Sequence, residues 1–232
     1  MTDSMASRLA AIEHRISQAC QRAGRAPGSV ALLPVSKTFD ARAVREAAAL
    51  GLRRFGENKT QEIRQKADPL ADLGLSWVMI GHLQTNKAKD VARDVAEVQS
   101  LDRADLADAL QRRLHDAGRS LDVLVQIKTS PEPSKFGLDP DALPQMLAHL
   151  QQHCPALRVQ GLMTMAVNSE DPAAVRACFR RLRELRERHA SPELPLARLS
   201  MGMSGDFEIA IEEGSTEVRI GSALFGARSY PA

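Results

Sequence analysis

A lysine placed directly after a short apolar run is the residue here whose type and position most invite chemistry. Lys37 ends VALLPVSK (30–37). Behind that run its ammonium is partly desolvated, which lowers its pKa and frees the amine as a nucleophile. Such an amine is what an imine with an aldehyde requires. Lysine is also scarce, since only Lys37, Lys59, Lys66, Lys87, Lys89, Lys128 and Lys135 contribute to the 31 basic residues. The position equally suits a lysine that snorkels or pairs with Glu57 or Asp102. Two glycine-bearing stretches near the end, SMGMSGD (200–206) and RIGS (219–222), have the makings of a phosphate cradle. Backbone N–H groups exposed at glycine, with serine hydroxyls beside them, are suitable donors; either stretch alone also reads as an ordinary turn. Arg219 suits the partner of a pyridine nitrogen, where a fixed cation would keep that nitrogen unprotonated and weaken the ring as an electron sink. It suits equally an inward-facing residue paired with a carboxylate.

Such groups need a frame that brings distant segments to one place. An amphipathic helix is expected from about Ser4 to Ala23, with Leu9, Ile12, Ile16 and Ala19 on one face. Eight strand-like runs then follow, at 30–37, 53–58, 76–82, 97–102, 121–130, 157–166, 197–202 and 217–227. Helical stretches alternate with them, one of which starts at Asp40 as N-cap and stops at Gly51. Strict alternation implies right-handed crossovers and a parallel sheet. Eight units in 1–232 favour one closed (β/α)8 TIM barrel over an open doubly wound sheet. No linker or second domain is evident, so the chain reads as a single domain with an extra N-terminal helix. Polar residues gather at the C-terminal strand ends, where barrels carry function: Lys37, Asn58, His82, Ser100, Lys128, Met163 with Thr164, Ser200, and Gly221 with Ser222.

Charge and cysteine usage exclude several classes. With 31 basic and 29 acidic residues the net charge is +2, which gives no polyanion signature. The run RRLRELRERH (180–189) interleaves Glu184 and Glu187 and carries an apolar stripe, so it reads as an outer helix rather than a nucleic-acid patch. Cys20, Cys154 and Cys178 are odd in number and lack CxxC spacing, so they read as reduced cytosolic thiols with no metal site implied. No signal peptide and no run near the roughly 20 residues of a membrane span is found. A soluble, cytoplasmic protein without membrane or nucleic-acid partners is expected.

The segments PVSKT (34–38), FGEN with QE (55–58, 61–62), IGHLQTNK (80–87), SLD (100–102) and SKFG (134–137) span much of the chain. GLMTM (161–165), LSMGMSGD (199–206) and GSTEVRIGSALFGAR (214–228) continue the series. In this set the sequence resembles the pyridoxal phosphate homeostasis (YggS-like) family, which is similar to the barrel half of alanine racemase, the fold type III architecture of pyridoxal 5′-phosphate (PLP) proteins. The resemblance implies that Lys37 forms a Schiff base with PLP, and that Ser200, Met201, Gly202, Gly221 and Ser222 surround the phosphate. It further implies that Arg219 faces the pyridine nitrogen, with Asn58, His82, Met163 and Ser204 lining the pocket. Two departures stand out: Lys59 where many relatives have tyrosine after GEN, and Val167 where proline is frequent.

The resemblance implies a non-catalytic protein that buffers PLP and delivers it, with apo PLP-dependent enzymes as recipients. A racemase-like enzyme, and a barrel binding another phosphorylated metabolite without a covalent link, are the alternatives. A two-base racemisation needs a second acid–base group opposite the lysine. In the racemase relatives that group is a tyrosine from an additional domain, whereas the only tyrosine here is Tyr230, near the end. His82 or Lys59 would have to substitute, and nothing in the sequence positions either. A self-sufficient barrel makes a monomer the expected state, with a weak dimer left open.

Overall fold

The computed structural model describes residues 4–132 and 135–226. The chain opens with α1 (Met5–Arg22), whose first turn is capped by Ser4 accepting from the Ser7 N–H. Its buried stripe includes Leu9, Ile12, Ile16 and Ala19, the face expected from the spacing. Eight strand–helix units follow. They are β1 (Ala31–Pro34), α2 (Ala41–Ala49), β2 (Arg54–Glu57), α3 (Thr60–Ala67), β3 (Ser76–Met79), α4 (Ala88–Asp94), β4 (Glu97–Leu101) and α5 (Ala104–Asp116). After these come β5 (Leu121–Gln126), α6 (Leu143–His153), β6 (Leu157–Met163), α7 (Pro172–His189), β7 (Arg198–Ser200), α8 (Phe207–Glu212), β8 (Glu217–Ile220) and α9 (Ser222–Phe225).

All eight strands lie in one parallel sheet of order β1-β8-β7-β6-β5-β4-β3-β2. Its free edges, β1 and β2, meet through a parallel bridge between Val35 and Gly56 and a Ser36 N–H donating to the Gly56 carbonyl at 3.0 Å. The sheet is therefore a closed (β/α)8 barrel, not the open doubly wound alternative.

Strand alternation sorts the side chains into two environments. Phe55, Val98, Leu199 and Val218 are fully buried in the apolar core. The opposite faces of β2, β4, β7 and β8 send Arg54, Glu97, Arg198 and Glu217 into the lumen, where side chains meet across the barrel as well as between the neighbouring β7 and β8. Arg54 donates to Glu97 and Glu217 at 2.8 Å each. Arg198 donates to the same two carboxylates at 2.8–3.0 Å. Burial pushes the Glu217 carboxyl up, but Arg198 and Arg54 hold it below the usual range. Buried charges that each find several partners are tolerated in a core.

The strand estimates from sequence run long at their C-terminal ends. The eighth was expected to reach 227, yet β8 stops at Ile220: Gly221, at φ −108° and ψ −87°, leaves the extended region and starts α9. Position 227 is outside the described residues. Asp40 does cap α2, accepting from the Ala43 N–H at 2.9 Å, and Gly51 ends the turn at φ +94°. Among the described residues, no helix is long and apolar enough to cross a membrane.

Candidate binding site at the barrel mouth

At the C-terminal ends of the strands lies a cavity of about 400 Å³. Lys37, Asn58, His82, Met163, Ser204, Arg219, Gly221 and Ser222 all line it. Of the residues expected from sequence, Ser200, Met201 and Gly202 do not. Ser200 and Met201 are fully buried. Gly202 turns at φ +97°, where an added Cβ would lie 2.6 Å from Ala210 Cβ. Ser200 acts from below: its hydroxyl donates to Gln99 Oε1 at 2.7 Å and accepts from Arg219 Nη1 at 2.8 Å. Gln99 in turn donates to Glu97 and Glu217. One chain of hydrogen bonds thus climbs the lumen from the charged cluster to the cavity.

Arg219 ends that chain. Its Nη2 donates to the Thr164 carbonyl at 2.8 Å, so both of these bonds go to neutral oxygens rather than to a carboxylate. Burial pushes the guanidinium down to about 10, against the pull of Glu217 and Asp206. It remains a cation at neutral pH, fixed in orientation.

Lys37 sits in the turn after β1, half-buried, and is followed by Thr38 at φ +70°. A non-glycine residue in that region is strained, and surrounding bonds must hold it. The Thr38 N–H donates to Glu62 Oε2 at 2.7 Å and the Phe39 N–H to the Ser36 carbonyl at 3.0 Å. Beneath the turn, Lys66 Nζ donates to the Ser36 carbonyl (2.8 Å) and to Glu57 Oε1 (2.6 Å), while the Ser36 hydroxyl donates to the same Glu57 oxygen at 2.6 Å. Glu57 is fully buried, and burial raises its carboxyl pKa despite Lys66 and Ser36. Asp102, at the same rim, accepts from Arg103 at 2.7 Å. Sequence reading missed Lys66 because nothing in KTQEIRQKA marks which lysine of a helix turns inward.

The far wall is built from β3 and the loop after β5. His82 stacks on Phe136, with ring centroids 4.1 Å apart, and its Nδ1 lies 3.4 Å from Asp102 Oδ2. Gln126 holds the Phe136 carbonyl at 2.9 Å and lines the cavity beside it; neither was singled out from sequence for the pocket. Gly81 is obligatory here, since a Cβ would fall 2.2 Å from the Asn58 carbonyl oxygen. Among the described residues, the buried Oδ1 of Asn58 has no hydrogen-bond partner. Asp206 accepts from the Met203 N–H at 2.6 Å and so folds the loop that brings Ser204 and Gly205 to the cavity. Lys59 is exposed before α3, in an adjoining hollow of about 260 Å³ that shares Asn58 and His82. Tyr230 is outside the described residues.

A closed barrel with an amine, a fixed cation and glycine-bearing loops around one mouth defines a class. The family model described as alanine racemase, N-terminal domain, matches residues 7–229. The pyridoxal phosphate homeostasis protein of Pseudomonas aeruginosa is 47% identical over 229 residues, 99% of this chain and 98% of the relative. That of Aquifex aeolicus is 44% identical over 224 residues, covering 96% and 98%. The solved structure of PipY from Synechococcus elongatus with PLP bound matches with a TM-score of 0.83 at 37% identity, covering 96% of this chain and all of that one. The chain belongs to the alanine racemase N-terminal domain family and, within it, to the pyridoxal phosphate homeostasis proteins.

Proposed function

We propose that this protein binds PLP as a Schiff base on Lys37 and serves PLP homeostasis in the cytoplasm as a non-catalytic carrier, a monomer that supplies apo-enzymes. The observation that carries the reading is that the Lys37 amine and the Arg219 cation open onto one cavity of about 400 Å³. The orphaned Asn58 Oδ1, the polar wall at Ser204 and Ser222, and the close backbone at Gly221 fit a polar, phosphorylated ligand. Bound there, PLP supplies an aldehyde and an electron-withdrawing ring. Lys37 would hold it through its amine, with one water released as the link to the aldehyde forms. Arg219 would face the ring nitrogen, where a fixed cation would keep it unprotonated and weaken the ring as an electron sink. Gly221, Ser222 and Ser204 hold the phosphate, and Ser200 acts by aiming Arg219.

Turnover asks for more than attachment. Racemisation needs a second proton carrier opposite Lys37. His82, the titratable neighbour across the mouth, has one ring face against Phe136 and its Nδ1 directed at Asp102, an arrangement suited to a wall. Borohydride reduction of the PLP-loaded protein followed by peptide mapping tests the link, and a label on any residue other than Lys37 overturns it. Incubation with L- and D-amino acids, following chirality and keto-acid formation, tests the carrier role. Sustained turnover of any of them would replace it with an enzyme.

A further inference from the structure

The outer layer holds a second group of chemistry-bearing side chains, away from the mouth. Asp108 lies in α5, His149 in α6, and Cys154 is the C-cap of α6. His149 Nε2 is 2.7 Å from Asp108 Oδ1, and Cys154 Sγ is 3.8 Å from the same oxygen. The three donor atoms all lie within 4.8 Å of one another. His153, one helical turn beyond His149, is exposed, and the two ring centroids are 5.1 Å apart.

We propose that Asp108, His149 and Cys154 form a binding site for a borderline divalent d-block cation, of which Zn²⁺ is the type, with His153 completing the shell. Thiolate, imidazole and carboxylate are the three side-chain donors that Zn²⁺ takes in tetrahedral sites. Metal–donor bonds of about 2.0–2.3 Å put neighbouring donors roughly 3.3–3.7 Å apart. The Cys154–Asp108 separation of 3.8 Å has only to close slightly to reach that spacing, and the His149–Asp108 hydrogen bond has only to open by less than about 1 Å. Hard cations such as Mg²⁺ and Ca²⁺ favour all-oxygen shells, which a thiol and an imidazole do not supply. The carbonyl end of α6 adds partial negative charge beside Cys154. On binding, Cys154 gives its thiol proton to solvent and His149 keeps its remaining proton on Nδ1.

Cysteine spacing carried no hint of this site. Asp108 stands 41 residues from His149 and 46 from Cys154, and only the packing of α5 against α6 assembles them. A bound ion would pin these two outer helices together independently of the barrel mouth.

The test uses the untagged full-length chain. Co²⁺ is titrated as a spectroscopic probe, and Zn²⁺ in competition with a chromophoric chelator. One Co²⁺ per chain is expected, with intense tetrahedral visible bands and a near-ultraviolet thiolate band that Cys154→Ala removes. His149→Gln and Asp108→Asn, both on the open side of the site, should weaken Zn²⁺ at least tenfold with an unchanged circular dichroism spectrum. Zn²⁺ at about 100 times its Kd should raise Tm by roughly 5–10 °C. Weak octahedral Co²⁺ bands, or a thiolate band that survives Cys154→Ala and vanishes on replacing Cys20 or Cys178, overturns the proposal.

Discussion

Replacing Lys66 by methionine tests whether the turn that carries Lys37 is held by one buried ion pair. The lysine side chain is 6% exposed and Glu57 is fully buried, so solvent cannot screen the loss. Lys66→Met strips Glu57 Oε1 of a 2.6 Å donor and the Ser36 carbonyl of a 2.8 Å donor, in a site where Glu57 Oε2 has no hydrogen-bond partner among the described residues. Removing one member of a buried pair costs about 3–5 kcal/mol. At about 2–4 °C per kcal/mol for a chain of this size, Tm should fall by roughly 6–20 °C. The loss depends on pH. Without its lysine, Glu57 keeps a folded-state pKa raised further above the unfolded value, because burial then acts unopposed. A carboxyl raised in this way binds its proton more tightly in the folded state, so stability falls as pH rises from the unfolded pKa toward the folded one. The variant should therefore lose less at pH 5 than at pH 8. Glu57→Gln with Lys66→Met should recover part of the difference, since the uncompensated charge is gone. Thermal unfolding of the four proteins of this cycle at both pH values measures all of it. A single variant within about 1 °C of the parent at pH 8 would refute the reasoning.

Other outcomes follow from the same geometry. Arg219→Met should leave the apo-protein's Tm unchanged or higher, because a buried cation held by neutral oxygens is costly, while PLP affinity falls by roughly tenfold or more; absorbance titration beside a melting curve checks both. Lys37→Ala should abolish the imine absorbance with the fold retained, read by difference spectra and circular dichroism. Glu217, whose pKa Arg198 and Arg54 lower against burial, contributes stability that is present above the unfolded carboxylate value of about 4.5 and lost as pH falls through its folded value. A Glu217→Gln variant should thus show a flatter acid limb in a plot of Tm against pH. Gly81→Ala should destabilise by roughly 1–3 kcal/mol, because its Cβ meets the Asn58 backbone rather than a movable side chain; a denaturant midpoint measures it.

Alternating apolar runs and turn residues were enough to set out eight units, because each strand's outward face must be apolar to meet its helix. The ends were less legible: a single backbone dihedral change at Gly221 turns a continued strand into α9, and no side-chain pattern signals it. Lys37 stood out because its apolar run is local in sequence. The lumen did not, since Arg54, Glu97, Arg198 and Glu217 come from four strands and read singly as surface charges until closure brings them together. The same non-locality explains why the hydrogen bond that Ser200 accepts from Arg219 was not legible in the sequence. Lys66 belongs to the same group: its neutralising role depends on a carboxylate nine residues earlier and on a carbonyl across the seam.

The junction of the first and second strands has a consequence for assembly. Its backbone pairing is slight, and beside it the cluster of Ser36, Glu57 and Lys66 ties β1 to β2 and α3 at the turn that carries Lys37. Sealing the cylinder and positioning Lys37 are therefore a single event. A chain with the seven other strand pairings formed and that last edge unzipped would have every other wall in place and still lack the turn that positions Lys37, the residue proposed to take the aldehyde. Under the proposed role of Lys37, ligand occupancy would report that the ring is complete.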